Sequence, residues 1–162
     1  MEATAHYLSP FGCFCIQGSE RGIRTVKLVD KRPCPAGPID PVLKACVVQL
    51  DEYFRGQRRE FDLKLDWSGA TDFHKAVWNA LLEIPYGHTT SYLHIAEKLG
   101  DANAIRAVGQ ANRRNPIAII VPCHRVIAKN GDLQGYFYGL DMKRRLLELE
   151  NPRSFARQGS LF

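Results

Sequence analysis

A cysteine, a histidine and an arginine stand in succession at Cys123-His124-Arg125, directly after the proline that ends the apolar run Ile117-Ala118-Ile119-Ile120-Val121. A thiol with an ordinary pKa of about 8.5 is only a few per cent ionised at pH 7, and the thiolate is the nucleophile. A neighbouring histidine can take the thiol proton, directly or through one water, and a nearby arginine can favour the anion. The histidine then needs a third group to orient it. Asn115, Asp132, Glu148 and Glu150 are available for that role, and linear order does not choose among them. The alternative is an inert core thiol at the end of a strand, the usual state of a free cysteine. A Cys-His pair alone is a weak signal, so the elements around it decide.

Those elements are mostly helical. TDFHKAVWNALLEI places Phe73, Ala76, Val77, Ala80, Leu81 and Ile84 on one face, with Thr71 or Asp72 as the cap, and stops at Pro85-Tyr86-Gly87. SYLHIAEKLG points Tyr92, Ile95, Ala96 and Leu99 inward and ends at Gly100; NAIRAVGQANRRN follows from an Asn103 cap. Two short helices joined by a tight turn read as a helix-turn-helix. On the last helix Asn103, Arg106, Gln110, Arg113 and Arg114 share one side, while Ala104, Ile105, Val108 and Ala111 share the other. A solvated face normally mixes signs, yet from Ala102 to Arg125 there are four arginines and no acid. Arginines with amide side chains are the set that contacts phosphates and base edges, which predicts DNA binding. The run Ile117 to Val121 reads as a buried strand that presents Cys123.

The N-terminal part is of another kind. CFCIQGSERGIRTVKLV reads as a hairpin turning at Gly-Ser-Glu-Arg-Gly, and KRPCPAGPIDP as an irregular loop. PVLKACVVQLDEYFRG puts Val42, Ala45, Cys46, Gln49, Leu50 and Tyr53 at helical spacing, with Gly56 as the stop. FDLKLDW alternates as a half-buried strand does, and WSGAT is a linker. The expected organisation is an α/β domain over 1–68, a mostly α-helical domain over 69–151, and a tail over 152–162.

A length of 162 residues, 45% hydrophobic and 24% charged, describes an ordinary globular chain. The net charge of +5 is concentrated late: residues 1–66 carry 10 Lys/Arg against 9 Asp/Glu, residues 67–162 carry 12 against 8. There is no apolar run near the ~20 residues of a membrane span and no basic-then-apolar leader, which predicts a cytosolic protein without membrane attachment. The five cysteines follow no disulfide or metal-ligand spacing, so free thiols and no metal are expected.

The run NPIAIIVPCHRVI, with SYLHIAEKLG and IRAVGQANRRNP before it and GY…G…KRRLLELE after it, resembles the O6-alkylguanine-DNA alkyltransferases, the methylated-DNA–protein-cysteine methyltransferases. The likeness is strong over 72–150. Over 1–66 it is one of outline, where S-P-F-G and a hairpin resemble the family's variable N-terminal domain, a small sheet with a helix, ribonuclease-H-like in outline. The resemblance implies DNA repair by direct reversal: stoichiometric, irreversible transfer of the alkyl group from O6-alkylguanine, with O4-alkylthymine as a second substrate, to Cys123. It implies that His124 takes the thiol proton through a water, Glu150 orients His124, Asn115 ties strand to turn, and Tyr92 serves the departing guanine. Arg106 would enter the duplex in place of a flipped nucleotide, and the carbonyls of Cys123 and Val126 would read the guanine amino group. Ser91, Gln110, Asn112, Arg113, Arg114, Tyr136, Phe137 and Tyr138 complete the implied substrate and DNA surface. No cofactor is required, because the thioether is stable and nothing regenerates the thiol; a monomer acting on double-stranded DNA is expected.

Two features depart from, or add to, that pattern. Phe137-Tyr138-Gly139 is bulky where the family has small or hydroxyl residues, which predicts weak reactivity toward benzyl-sized adducts. Gln158-Gly159-Ser160-Leu161-Phe162 resembles the peptides by which bacterial repair proteins dock on the sliding clamp, a disordered segment ordered on binding, against the plainer reading of a frayed terminus. The rival functions are a lesion-binding regulator without transfer, which would have no use for Cys123, and a cysteine hydrolase, which would turn over repeatedly.

Overall fold

The computed structural model describes residues 2–131, 133 and 135–153, so the Gln158–Phe162 segment and Asp132 lie outside the described residues. Two compact units result, one from residues 2–68 with 116–118, the other from 69–115 with the described residues from 119 on.

In the first unit β1 (Ala3–Ser9), β2 (Gly12–Ser19) and β3 (Gly22–Val29) form an antiparallel sheet in sequence order. Gly22, at φ 133°, closes the hairpin where an added Cβ would sit 2.7 Å from the Lys64 carbonyl, so only glycine fits. Helix α1 (Pro41–Phe54) starts where Asp40 accepts from the Val42 amide and Pro41 supplies a helical φ with no amide to satisfy. Its buried stripe is Leu43, Cys46, Gln49, Leu50, Tyr53 and Phe54. The expected Val42 and Ala45 lie outside it, because the larger Leu43 and Phe54 bury more apolar surface. Tyr7, Phe11 and Phe14 stand around Phe54 at ring separations of 6.2, 5.3 and 6.0 Å.

Two predicted strands are largely absent. In FDLKLDW only Leu65 pairs, with Ile23; the backbone at Asp62 is held instead by the Gln49 side chain, which donates to its carbonyl at 3.1 Å and accepts from its amide at 2.9 Å. In the run from Ile117 to Val121 all five side chains are buried, as expected of a strand, but only Ile117 pairs, with Val26. Turns follow, and Ile119 takes a left-handed φ of 71°, rare for a β-branched residue. Burial was legible there; the turn that redirects the chain was not. The expectation of free thiols also needs correction, since Cys13 and Cys34 form a disulfide with Cα atoms 5.5 Å apart, leaving Cys15, Cys46 and Cys123 free. The irregular proline-rich loop returns Cys34 to the start of β2, a proximity that spacing does not encode.

The second unit is helical. Thr71 caps α2 (Asp72–Leu82) by accepting from the His74 amide. Its buried face is Val77, Trp78, Ala80 and Leu81, with Ile84 just beyond. Phe73 is exposed, and Trp78 takes its place, donating its indole N–H to the Ala111 carbonyl at 2.9 Å. Ser91 caps α3 (Tyr92–Lys98), which ends before Gly100 at φ 86°. The next cap is Asp101 rather than Asn103: it accepts from the Asn103 amide to start a short 3-10 turn, Ala102–Ala104, that leads into α4 (Ile105–Arg113). Parallel two-residue strands β4 (Thr90–Ser91) and β5 (Val126–Ile127) pair, and α5 (Leu140–Glu150) closes the unit.

Candidate active site

Cys123, His124 and Arg125 form a single 3-10 turn between Pro122 and β5. The turn is held from several sides. The Cys123 amide donates to the Val121 carbonyl at 2.8 Å, and the Cys123 carbonyl accepts from the Val126 amide and, at 3.3 Å, from the Asn112 side chain. Asn115 donates to the Val121 carbonyl at 2.8 Å and hydrogen-bonds the Cys123 thiol. Pairing of Thr90 with Val126 sets the start of α3, and with it Tyr92, beside the turn.

All three side chains of the turn are buried, and Glu150 at the end of α5 collects two of them. His124 Nε2 lies 2.6 Å from Glu150 Oε2. Arg125 donates to the same carboxylate through Nε at 2.8 Å and Nη2 at 3.1 Å, and through Nη1 to the Ile84 carbonyl at 2.6 Å. Burial alone would raise the Glu150 carboxyl, but the charges and hydrogen bonds of His124 and Arg125 outweigh it and hold the group well below the usual carboxylate range. An ionised carboxylate only accepts, so His124 Nε2 is the donor, and a neutral ring keeps its lone pair on Nδ1. Nδ1 is buried with no hydrogen-bond partner among the described residues. Burial, above all, lowers the imidazole pKa against the pull of Glu150, so the ring rests neutral.

The thiol itself rests protonated. Burial pushes the Cys123 pKa up, opposed by the Asn115 hydrogen bond and the charge of Lys143. The opening expectation that Arg125 favours the thiolate is therefore corrected: its guanidinium is committed to Glu150 and Ile84, and the cation acting on the sulfur is Lys143. Lys143 is fully buried, hydrogen-bonded through Nζ to the Leu133 carbonyl and 6.0 Å from the centre of the Tyr92 ring. Burial lowers its pKa to about 8, with Cys123 acting to raise it. Burial, then the charge that the sulfur carries when ionised, raise the Tyr92 and Tyr136 hydroxyls, and Tyr136 Oη is a further buried atom with no hydrogen-bond partner among the described residues. Cys123, His124, Glu150, Asn115, Tyr92 and Tyr136 thus converge on one turn.

The remaining predicted residues divide. Arg106, Gln110 and Arg113 are exposed on α4, and Arg114 is exposed at its C-cap. Ile105, expected to face inward, is 42% exposed, while Asn112, expected on the DNA surface, is 2% exposed and bonded to Cys123. That bond also occupies the Cys123 carbonyl expected to read a base. Ser91 is the α3 cap, and Val126 is buried in β5. Phe137 is 69% exposed and stands edge-on to Tyr138 at 5.0 Å. Of the other candidate orienting groups, Glu148 is exposed. Lys143 and the role of Arg125 were missed. Lys143, Leu146, Leu147 and Glu150 recur at intervals of three and four, one helix stripe with a charge at either end, a signal that was present. Among the described residues no cluster of His, Cys, Asp and Glu is arranged to hold a metal ion, and no helix is long and apolar enough to cross a membrane.

Comparison with known proteins covers both units. Residues 72–152 match the family model described as the DNA binding domain of 6-O-methylguanine DNA methyltransferase, and residues 4–67 its ribonuclease-like domain. The chain is 48% identical over 151 residues to the methylated-DNA–protein-cysteine methyltransferase of Methanosarcina acetivorans, covering 90% of this chain and 96% of that one. It is 46% identical over 152 residues to the protein of that name from Mycobacterium tuberculosis, covering 91% and 92%. A crystal structure of the Mycobacterium tuberculosis OGT in complex with DNA is similar with a TM-score of 0.81 at 46% identity, covering 94% of this chain and 93% of that one.

Proposed function

The chain belongs to the 6-O-methylguanine DNA methyltransferase family and acts in direct-reversal DNA repair as a methylated-DNA–protein-cysteine methyltransferase, and on that premise we propose that Cys123 is the cysteine that takes the alkyl group. The sulfur attacks the alkyl carbon in line; the carbon–O6 bond breaks and its electron pair leaves with guanine. The thiol proton passes to His124 Nδ1 through a water, and Tyr92 supplies hydrogen bonding or a proton to the departing base. Glu150 orients the ring through Nε2. Lys143 favours the transient thiolate, and Asn115 keeps Cys123 at the end of its turn. The observation that carries this reading is the buried imidazole that follows Cys123 in the same turn, fixed at one nitrogen by an ionised carboxylate with the other lone pair available.

The finer parts of the reading rest on the same premise. An alkylated base lies within the stack, so in-line attack calls for base flipping, at a few kcal/mol. Arg106 fills the vacated place, Gln110, Arg113 and Arg114 contact the backbone, and α3 with α4 acts as a helix-turn-helix on duplex DNA. Ser91, Val126, Tyr136, Phe137 and Tyr138 border the base. O4-alkylthymine is a second substrate, the protein works as a monomer in the cytoplasm, and docking on a sliding clamp is assigned to Gln158–Phe162. No cofactor takes part.

Mass spectrometry after mixing with O6-methylguanine duplex tests the central point. One methyl is expected on the peptide that carries Cys123, at one equivalent per protein, with none on Cys123→Ala that is folded by circular dichroism. Repeated turnover, or methylation at another residue, overturns it.

A further inference from the structure

Arg125 has no part in the reaction as so far described, yet its guanidinium is almost wholly buried and makes three hydrogen bonds, two to Glu150 and one to the Ile84 carbonyl. It also stands 5.8 Å from the centre of the Tyr86 ring. Glu150 has a side chain 1% exposed, and Oε2 accepts from both Arg125 Nη2 and His124 Nε2. A carboxylate so deeply buried needs a positive partner. If the partner were His124, the ring would carry a proton on both nitrogens and have no lone pair left for the thiol.

We propose that Arg125 is a positioning residue for alkyl transfer: it is the counter-charge that lets Glu150 stay ionised while His124 stays neutral and able to accept a proton. Its fork engages both carboxylate oxygens and fixes the plane of the group that His124 must meet, a geometry that lysine cannot reproduce. The charged groups acting on His124 are Glu150 and Lys143 of α5 and Arg125 of its own turn; Glu150 draws a proton to the ring and the two cations oppose it. Without Arg125 that balance tips toward the imidazolium. The inference rests on His124 being the base in transfer to Cys123.

The test follows the nitrogen chemical shifts of the His124 ring against pH in Cys123→Ala protein, so it stands whether or not Cys123 is the acceptor. Arg125→Met should raise the ring's titration midpoint by about one pH unit or more. In protein that retains Cys123, single-turnover methyl transfer should fall about tenfold or more near pH 6 while approaching the unsubstituted rate near pH 8.5. Arg125→Lys should keep the midpoint and lose rate at every pH. Arg125→Met with Glu150→Gln, which removes both charges together, should return the midpoint to its starting value or below. An unmoved midpoint in Arg125→Met, or a double variant that stays shifted, overturns the proposal. Should Arg125→Met not fold, the double variant decides: a folded protein with a neutral ring supports the counter-charge role, and one that also fails to fold assigns Arg125 to holding the Ile84 carbonyl.

Discussion

The two units fill their interiors with different materials. The first packs Phe14, Ile16, Leu43, Leu50, Tyr53 and Phe54, with Gln49 as a buried polar group that meets backbone at both ends of its amide. The second buries His124, Arg125, Lys143 and Glu150 among leucine and isoleucine. Burying ionisable groups gains nothing that well-packed apolar side chains would not provide. Among the described residues no acid, lysine, arginine or histidine is buried in the first unit, so the second interior holds a charged cluster that packing does not call for. The thiols repeat the contrast. Burial pushes Cys46 in the first unit up to about 12, and nothing opposes it, whereas at Cys123 the same penalty meets Asn115 and Lys143.

Substitutions that remove one buried group from each interior break the comparison if both behave alike. Phe14→Ala should lower stability by about 3–5 kcal/mol through the cavity it leaves, with little change in the transfer rate of the protein that remains folded. Glu150→Gln should cost a similar ~3–5 kcal/mol, because Arg125 is left buried without its partner charge, and should slow transfer as well. Denaturant unfolding alongside single-turnover kinetics separates the two; an undiminished transfer rate in Glu150→Gln removes the distinction.

Lys143 sharpens it with the opposite sign. Its folded pKa, about 8, lies below the unfolded value, so the unfolded chain binds more protons between about pH 8 and 10.4 and stability rises with pH across that window. Below it the full penalty, on the order of 3 kcal/mol, is present. Lys143→Met should therefore be the more stable protein at pH 7, with an advantage that fades as pH climbs through the window, while its transfer slows. A stability difference that ignores pH contradicts this.

The smallest effect concerns aromatic residues, which the two units also use differently. In the first unit Phe14, Tyr53 and Phe54 are buried core rings; Phe137 and Tyr138 pack edge-on with Phe137 largely exposed. Tyr138→Gly should speed labelling by benzylguanine about tenfold, the scale of a modest steric change in a pocket, and leave methyl transfer within about twofold. An unchanged benzyl rate means Tyr138 does not narrow the entrance.

Legibility followed the length scale of the signal. Helices α1, α2 and α3 were readable because their apolar stripes and caps are local, although the α1 stripe trades Val42 and Ala45 for Leu43 and Phe54, and Trp78 replaced Phe73. The Cys123-His124 adjacency was legible as a candidate pair, and Glu150 was singled out from four candidate partners only through resemblance, since 26 residues separate it from His124. The run from Ile117 to Val121 misled because uniform burial looks the same in a strand and in a packed turn; the left-handed Ile119 has no local signature. Lys143 and Arg125 were passed over because charge is read as surface, even where helical spacing places it inward. The Cys13–Cys34 pairing is purely tertiary.

Pro116–Ala118 come from late in the chain yet join the sheet of the first unit, exchanging the Pro116 carbonyl and Ala118 amide with Val26 at 2.9 and 3.1 Å. A dissection at residue 68 would not yield that unit whole. The fragment would carry β3 with this stretch of its rim bare, an invitation to sticky self-association between copies.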